Sequence, residues 1–345
     1  MAATLFAGCG GASGAAAPAA DAAPAAEAAP AADTAPAEEA APAAEEAAPA
    51  ADAGDSGSLT VGFSQYASYN NWRVTNTDDI NRALNEQGWK VIFADANDDT
   101  AQQISDLEDM IAQKPDYLVV GAREQEGYEN VLQEAADAGI KIVLFDRLAD
   151  GPHDVLIQGD YVMEGENVGQ AVVDTFGDDK EINIVELTGT PGADVTAQRS
   201  EGFMNIIKQH PNYKILASQV GNFSRTESQT AMENLIQSYG DKIDVVYAHS
   251  DDNGIGAINA IKAAGLTPGK DIEVFGVDGT KDGLQAIVDG EMKATYLCNP
   301  FYGDAIVDLI KRLEAGETFS DREILEGKLY TIDNAQASLD AGEGF

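Results

Sequence analysis

The sequence predicts an α/β protein built as two doubly wound lobes. Three observations carry this. From Ser58 onward, short β-rich apolar runs alternate with helical stretches. Several runs are almost continuously apolar, as expected for strands covered on both faces. They fall into two consecutive series, each of about four or five strand–helix units, which fit two parallel sheets with right-handed crossovers better than one large sheet.

The first series of strands is expected at Leu59–Ser64, Lys90–Asp95, Tyr117–Gly121, Lys141–Asp146 and Val155–Gly159. The second is expected at Ile182–Leu187, Lys214–Gln219, Asp244–His249, Glu273–Asp278 and Ala294–Cys298. Helices are expected over Trp72–Gln87, closed by Gly88, and over Thr100–Gln113, with Thr100 as N-cap and Lys114-Pro115 as the stop. Two more run from Gly127 to Ala138 and from Asn253 to Ala264, each ended by a glycine.

The 345 residues carry a formal charge of −38, with 59 acids against 21 Lys and Arg. That balance argues against a nucleic-acid binder, which needs a basic patch, and against adhesion to an anionic membrane surface. So much acid reads as solubility or a salt-adapted proteome rather than a charge-specific role. The cysteines are Cys9 and Cys298, and neither belongs to a CxxC pair, so zinc and thioredoxin-type chemistry are not expected. The sequence contains no HExxH, P-loop or GxSxG motif. It also has no apolar run of membrane-spanning length.

Residues 10–57 are dominated by Ala, Pro, Gly and acids, with no Lys or Arg in the first 57 residues. With almost no large apolar side chains, this stretch reads as a disordered linker. Such a linker could span roughly 40 Å as a flexible coil and about 150 Å if extended as polyproline. The stretch before it, "TLFAGCGG", resembles the lipobox of bacterial lipoproteins, with Cys9 as the lipid-bearing residue. Residues 1–9 are then the remnant of a signal peptide, although the basic start and the long apolar region of such a peptide do not precede Cys9.

In open parallel sheets, ligands sit beyond the carboxyl ends of the strands. There the sequence places Ser64 and "YNNWR" with Trp72 and Arg73; Asp146-Arg147; Thr190 in "ELTGTPGA", followed by Arg199; Phe223 in "GNFSR"; Ser250 and Asp251 in "HSDD"; and Asp278 in "VDGT". Singly, Asp146 and Asp278 read equally well as turn residues, while Trp72 and Phe223 read as core rather than as ligand platforms. Jointly they form a sugar-site vocabulary. Carboxylates and guanidinium groups hydrogen-bond hydroxyls, and aromatic rings cover C–H faces.

The segments "VGFSQ", "NWR", "LFDR", "VELTGTPGA", "QRSEGF", "SQVGNFSR", "VYAHSDD", "GAINAIKAAGLTPGKDI" and "VDG" run through the chain in one order. In them the chain resembles the periplasmic sugar-binding proteins of ABC importers, of the ribose-binding-like group, and among these the galactofuranose binders. The resemblance implies the type I periplasmic binding protein fold, with two Rossmann-like lobes joined by a three-crossing hinge. The N-terminal lobe would comprise 58–160 and 299–326, and the C-terminal lobe 161–298 and 327–345. It implies a monosaccharide, galactofuranose-like or another furanose or pentose, closed between the lobes and delivered to a membrane ABC permease. The protein would be a monomer without cofactor or catalysis, in the periplasm or lipid-anchored at the cell surface.

By matching position, Trp72, Arg73, Asp146 and Arg147 would line the first lobe. Arg199, Phe223, Ser250 and Asp278 would line the second, and Trp72 and Phe223 would grip the ring from opposite sides. The chain departs from the family in having Ser250 where Asn is common, and in a more polar loop, "AREQEG", at 122–127. A sugar sensor feeding a chemoreceptor or kinase shares these features. A sugar-responsive transcription regulator would instead carry a basic helix-turn-helix before Ser58. A dinucleotide enzyme would carry GxGxxG after the first strand, where "SQYASYNN" stands.

Overall fold

The computed structural model describes residues 58–319 and 322–345; Cys9 and the linker 10–57 lie outside the described residues. The first lobe is laid down as β1 (Thr60–Gln65), α1 (Asn71–Glu86), β2 (Lys90–Asp95), α2 (Thr100–Ala112), β3 (Tyr117–Gly121), α3 (Glu129–Asp137), β4 (Lys141–Phe145) and β5 (Val155–Gly159). The second follows as α4 (Tyr161–Phe176), β6 (Ile182–Thr188), α5 (Asp194–Ile207), β7 (Tyr213–Val220), α6 (Arg225–Tyr239), β8 (Val245–Ala248), α7 (Asp251–Ala263), β9 (Glu273–Asp278), α8 (Lys281–Val288) and β10 (Ala294–Leu297). The tail adds α9 (Gly303–Glu314), β11 (Arg322–Leu325), β12 (Leu329–Thr331) and α10 (Ala335–Asp340).

The strands form two six-stranded sheets, ordered β11-β5-β4-β3-β1-β2 and β12-β10-β9-β8-β6-β7. Among the described residues, all pairings between these strands are parallel except β10 with β12. The central strands are buried on both faces: Leu118, Val119, Val120, Val143 and Leu144 have no exposed surface. The chain passes from one sheet to the other after β5, returns after β10, where α9 packs on α1, and crosses again between β11 and β12.

Two expectations need correction. The N-cap of α2 is Asp99, not Thr100; its carboxylate accepts from the N–H groups of Ala101 and Gln102 at 2.8 and 3.1 Å. A carboxylate caps at least as well as a hydroxyl and also favours the positive end of the helix. The run ending at Asp146 closes one residue earlier, because Asp146 turns into the left-handed region at φ 63°.

In the second lobe α4 and α5 cross with their backbones almost touching. A Cβ on Gly202 would run into the Val162 carbonyl oxygen, and one on Gly165 would meet the Arg199 carbonyl and the Phe203 nitrogen. This crossing brings Glu164 of α4 beside Arg199 of α5. Gly202→Ala is therefore expected to destabilise the fold by about 1–3 kcal/mol through overpacking, read as a lower urea midpoint.

Candidate functional site

The carboxyl ends of both sheets face one another across a cleft, and the side chains meeting there are mostly charged and mostly buried. Asp146 is 3% exposed and Arg147 2%. The Asp146 carboxylate is ion-paired with Arg73 and lies 3.6 Å from Arg147 Nε. Tyr161, at the start of α4, donates to Asp146 Oδ1 at 2.7 Å and to its carbonyl at 2.5 Å. Burial alone would push this carboxyl up, but the charges of Arg73 and Arg147, with the hydrogen bonds from Arg73 and Tyr161, hold it below the usual range. Tyr66 stands directly after β1. Its ring is flanked by the Arg73 and Arg147 guanidinium groups, each 4.4 Å from the centroid, and its hydroxyl accepts from Arg73 Nε at 3.0 Å.

The facing wall comes from the second lobe. Arg199 donates from Nε to Glu164 Oε2 at 2.8 Å and from Nη1 to the His249 carbonyl at 2.5 Å, leaving Nη2 3.8 Å from Asp278 Oδ1. Burial pushes the Asp278 carboxyl well up, with Arg199 opposing. Phe223 lies 5.4 Å from the Arg147 guanidinium of the other lobe, and its ring occupies space that only a glycine at 189 leaves free. Trp72 Nε1 donates to the Cys298 carbonyl at 2.8 Å, tying α1 to the crossing after β10.

Asp146, Phe223 and Asp278 have φ values of 63°, 54° and 129°. Side chains seldom hold such backbone angles unless the surroundings impose them, and such residues cluster at functional sites. Two donors within the site, Arg73 Nη1 and Arg147 Nε, are buried and make no hydrogen bond among the described residues. The space left between the side chains is about 30 Å³, roughly one water molecule.

Residues 61–318 match the periplasmic binding protein domain family. The chain belongs to the periplasmic binding protein family. It is 36% identical over 289 residues to the galactofuranose-binding protein YtfQ of Escherichia coli (strain K12), an alignment covering 82% of this chain and 91% of that protein. It is 35% identical over 277 residues to the ribose import binding protein RbsB of Bacillus subtilis (strain 168), covering 80% and 85%. A solved structure from Mycobacterium smegmatis, in complex with β-D-fucofuranose, superposes with a TM-score of 0.79 at 38% identity, covering 83% of this chain and 95% of that one. Family membership makes the chain a binding protein rather than an enzyme.

Of the residues expected at the site, the cleft brings together Trp72, Arg73, Asp146, Arg147, Arg199, Phe223 and Asp278. It does not gather Ser64, Thr190, Ser250 or Asp251. Ser64 Oγ is taken by Gln103 Nε2 at 3.1 Å, and Thr190 lies in the turn before α5. Ser250 caps α7, its Oγ accepting from Asn253 N–H at 3.1 Å. Asp251 turns away beneath β9 and β10, where Thr280 N–H, Thr280 Oγ1 and Thr295 Oγ1 donate to it at 2.7, 2.9 and 2.6 Å. Sequence reasoning missed Tyr66, Tyr69, Asn70 and Cys298 in the lining, and Tyr161 and Glu164 behind it. Tyr69 and Asn70 stood in the quoted "YNNWR" but were given no role there, and Tyr66, directly after β1, was open to discovery on the same ground.

Asp194, at the start of α5, is also buried between the lobes. Burial, helped by the negative charge of Asp146, raises its carboxyl to about 6. An unfolded Asp titrates near 3.9, so the folded state holds this proton more tightly. Its contribution to stability is therefore most favourable below about pH 4 and is lost as pH rises towards about 6. Asp251, also near 6, acts in the same window. Asp194→Asn is expected to remove part of that decline, so that urea denaturation across a pH series shows the variant gaining on the parent between those values.

Proposed function

We propose that this chain is an extracytoplasmic solute-binding protein that captures a monosaccharide in its furanose form between the two lobes and hands it to an ABC permease. The observation that carries this reading is the pair of buried, unpartnered guanidinium donors of Arg73 and Arg147, set among the Asp146 and Asp278 carboxylates and the Trp72 and Phe223 rings. Three guanidinium groups, Arg73, Arg147 and Arg199, stand against three carboxyls, Asp146, Glu164 and Asp278, with Arg73 paired to Asp146 and Arg199 to Glu164. Such a site favours a neutral ligand rich in hydroxyls over an ion. The relatives named above for galactofuranose and crystallised with fucofuranose support the five-membered ring.

Because so little space remains, a sugar enters only when the lobes separate. It favours closure by bonding to both walls at once. Arg73 and Arg147 would donate to ring and hydroxyl oxygens, and Asp146 and Asp278 would face hydroxyl donors. The protein would act as a monomer, held at the membrane surface through a lipid on Cys9 and the linker 10–57. Calorimetric titration of the full chain with a panel of furanose-forming and pyranose-only sugars tests the reading. Saturable heat is expected with at least one furanose-forming sugar; absence of heat with every aldose, ketose and polyol would sink it.

A further inference from the structure

We infer that the mouth of the cleft is a second subsite, which takes the neighbouring unit of a neutral furanoside, so that the protein accepts glycosides and short furanose oligosaccharides as well as free monosaccharide. This rests on the sugar reading of the deep site. A cavity of about 460 Å³ adjoins that site and shares Tyr69, Asn70 and Phe223 with it. Its volume alone falls in the range of small-molecule pockets. Both lobes build it: Asn71 and Asp98 come from the first, and Asn222, Ser224, Thr226 and Glu227 from the second. A ligand spanning the two cavities would therefore be held from both sides along its whole length.

The polarity of the walls selects the class of ligand. Asn222 Oδ1 is buried and accepts no hydrogen bond among the described residues, while its Nδ2 makes only long contacts to Glu227, at 3.4 and 3.5 Å. Those long contacts leave the Asn222 amide N–H groups able to donate to a hydroxyl or ring oxygen of a ligand in the cavity it lines. Asn222 has φ 57°, so its position is fixed by the turn that also carries Phe223. Arg225 is the cation of this wall, and it is already paired with Asp252 and, at 2.6 Å, with Asp282. Asp98 is held by Arg123 at 2.9 Å, and Glu227 adds a further carboxylate. An anionic substituent would meet carboxylates and no unpaired cation among the lining residues, so sugar phosphates and nucleotide sugars are disfavoured. The partition between the two cavities is slight: Asn70 Nδ2 donates to the Phe223 carbonyl at 3.4 Å, a long bond.

Calorimetry of the full chain with L-arabinose, D-galactose, their methyl furanosides, an arabinofuranose disaccharide and ribose phosphate decides the matter. The disaccharide is expected to bind within about tenfold of the methyl furanoside of the same sugar, or more tightly, with ribose phosphate much weaker. Asn222→Gly, which keeps the backbone freedom and removes the amide, is expected to weaken the disaccharide about three- to tenfold and leave the free sugar unchanged. Asn71→Ala provides the same comparison from the other lobe. Free sugar bound with the glycosides roughly a hundredfold weaker, or both variants acting on free sugar and disaccharide alike, would overturn the second subsite while leaving the deep site intact. Silence with every free sugar and glycoside would overturn the sugar reading, and the subsite with it.

Discussion

Asp146→Ala is expected to weaken binding of the best sugar by about 1.5–3 kcal/mol or more, roughly 10- to 150-fold, as for the loss of hydrogen bonds to a charged group. The carboxylate does two jobs. It would accept from sugar hydroxyls, and it orients Arg73, whose Nη1 is one of the free donors. Without it, two guanidinium groups remain buried around the Tyr66 ring with no carboxylate to balance them. Alanine also fits poorly at φ 63°, so Asp146→Asn provides the cleaner comparison: Asn tolerates the left-handed region and keeps a side-chain oxygen. Calorimetry of the two variants separates charge from geometry. If Asp146→Ala bound as tightly as the parent, the site would be wrongly placed.

Glu164→Ala is expected to carry the largest cost to folding. Glu164 and Arg199 are both 3% exposed at the side chain and 2.8 Å apart. Removing one partner of a buried pair leaves an uncompensated charge, at about 3–5 kcal/mol. The remaining carboxylate, Asp278, is 3.8 Å from Arg199, too far for a hydrogen bond. The double variant Glu164→Leu with Arg199→Met is expected to regain most of the stability in urea denaturation, since an apolar pair of similar size tolerates burial. It should not regain sugar binding, because the guanidinium is gone. Recovery of both properties would make Arg199 purely structural.

The sheets were legible where strands are buried on both faces. Val143 and Leu144 sit in a continuous apolar run because nothing polar fits there. The edge strands β11 and β12 were not. "REIL" alternates exposed and half-buried side chains, and "LYT" has three residues, too few to show a period. Their strand state comes from pairing with β5 and β10, which is tertiary information. At the site, position beyond a strand end located Asp146, Arg147 and Phe223 but could not separate Asp278 from Asp251. Both acids follow strands, and what distinguishes them is a backbone angle and three donors waiting around Asp251. Glu164 was invisible for a different reason. In the first turn of a helix, an acid looks like an ordinary partner of the helix dipole, and only the glycine crossing of α4 on α5 turns it inward.

The hydrogen bond from Trp72 to the Cys298 carbonyl has an optical consequence. The chain contains only one other tryptophan, Trp89, at the entrance to β2 and away from the cleft. The indole of Trp72 donates to the carbonyl of Cys298 on the crossing segment after β10 and is buried, so parting of the lobes would alter both that hydrogen bond and its shielding from water. Its emission should shift with each opening and closing, so the intrinsic fluorescence of the unlabelled protein becomes a clock for the hinge.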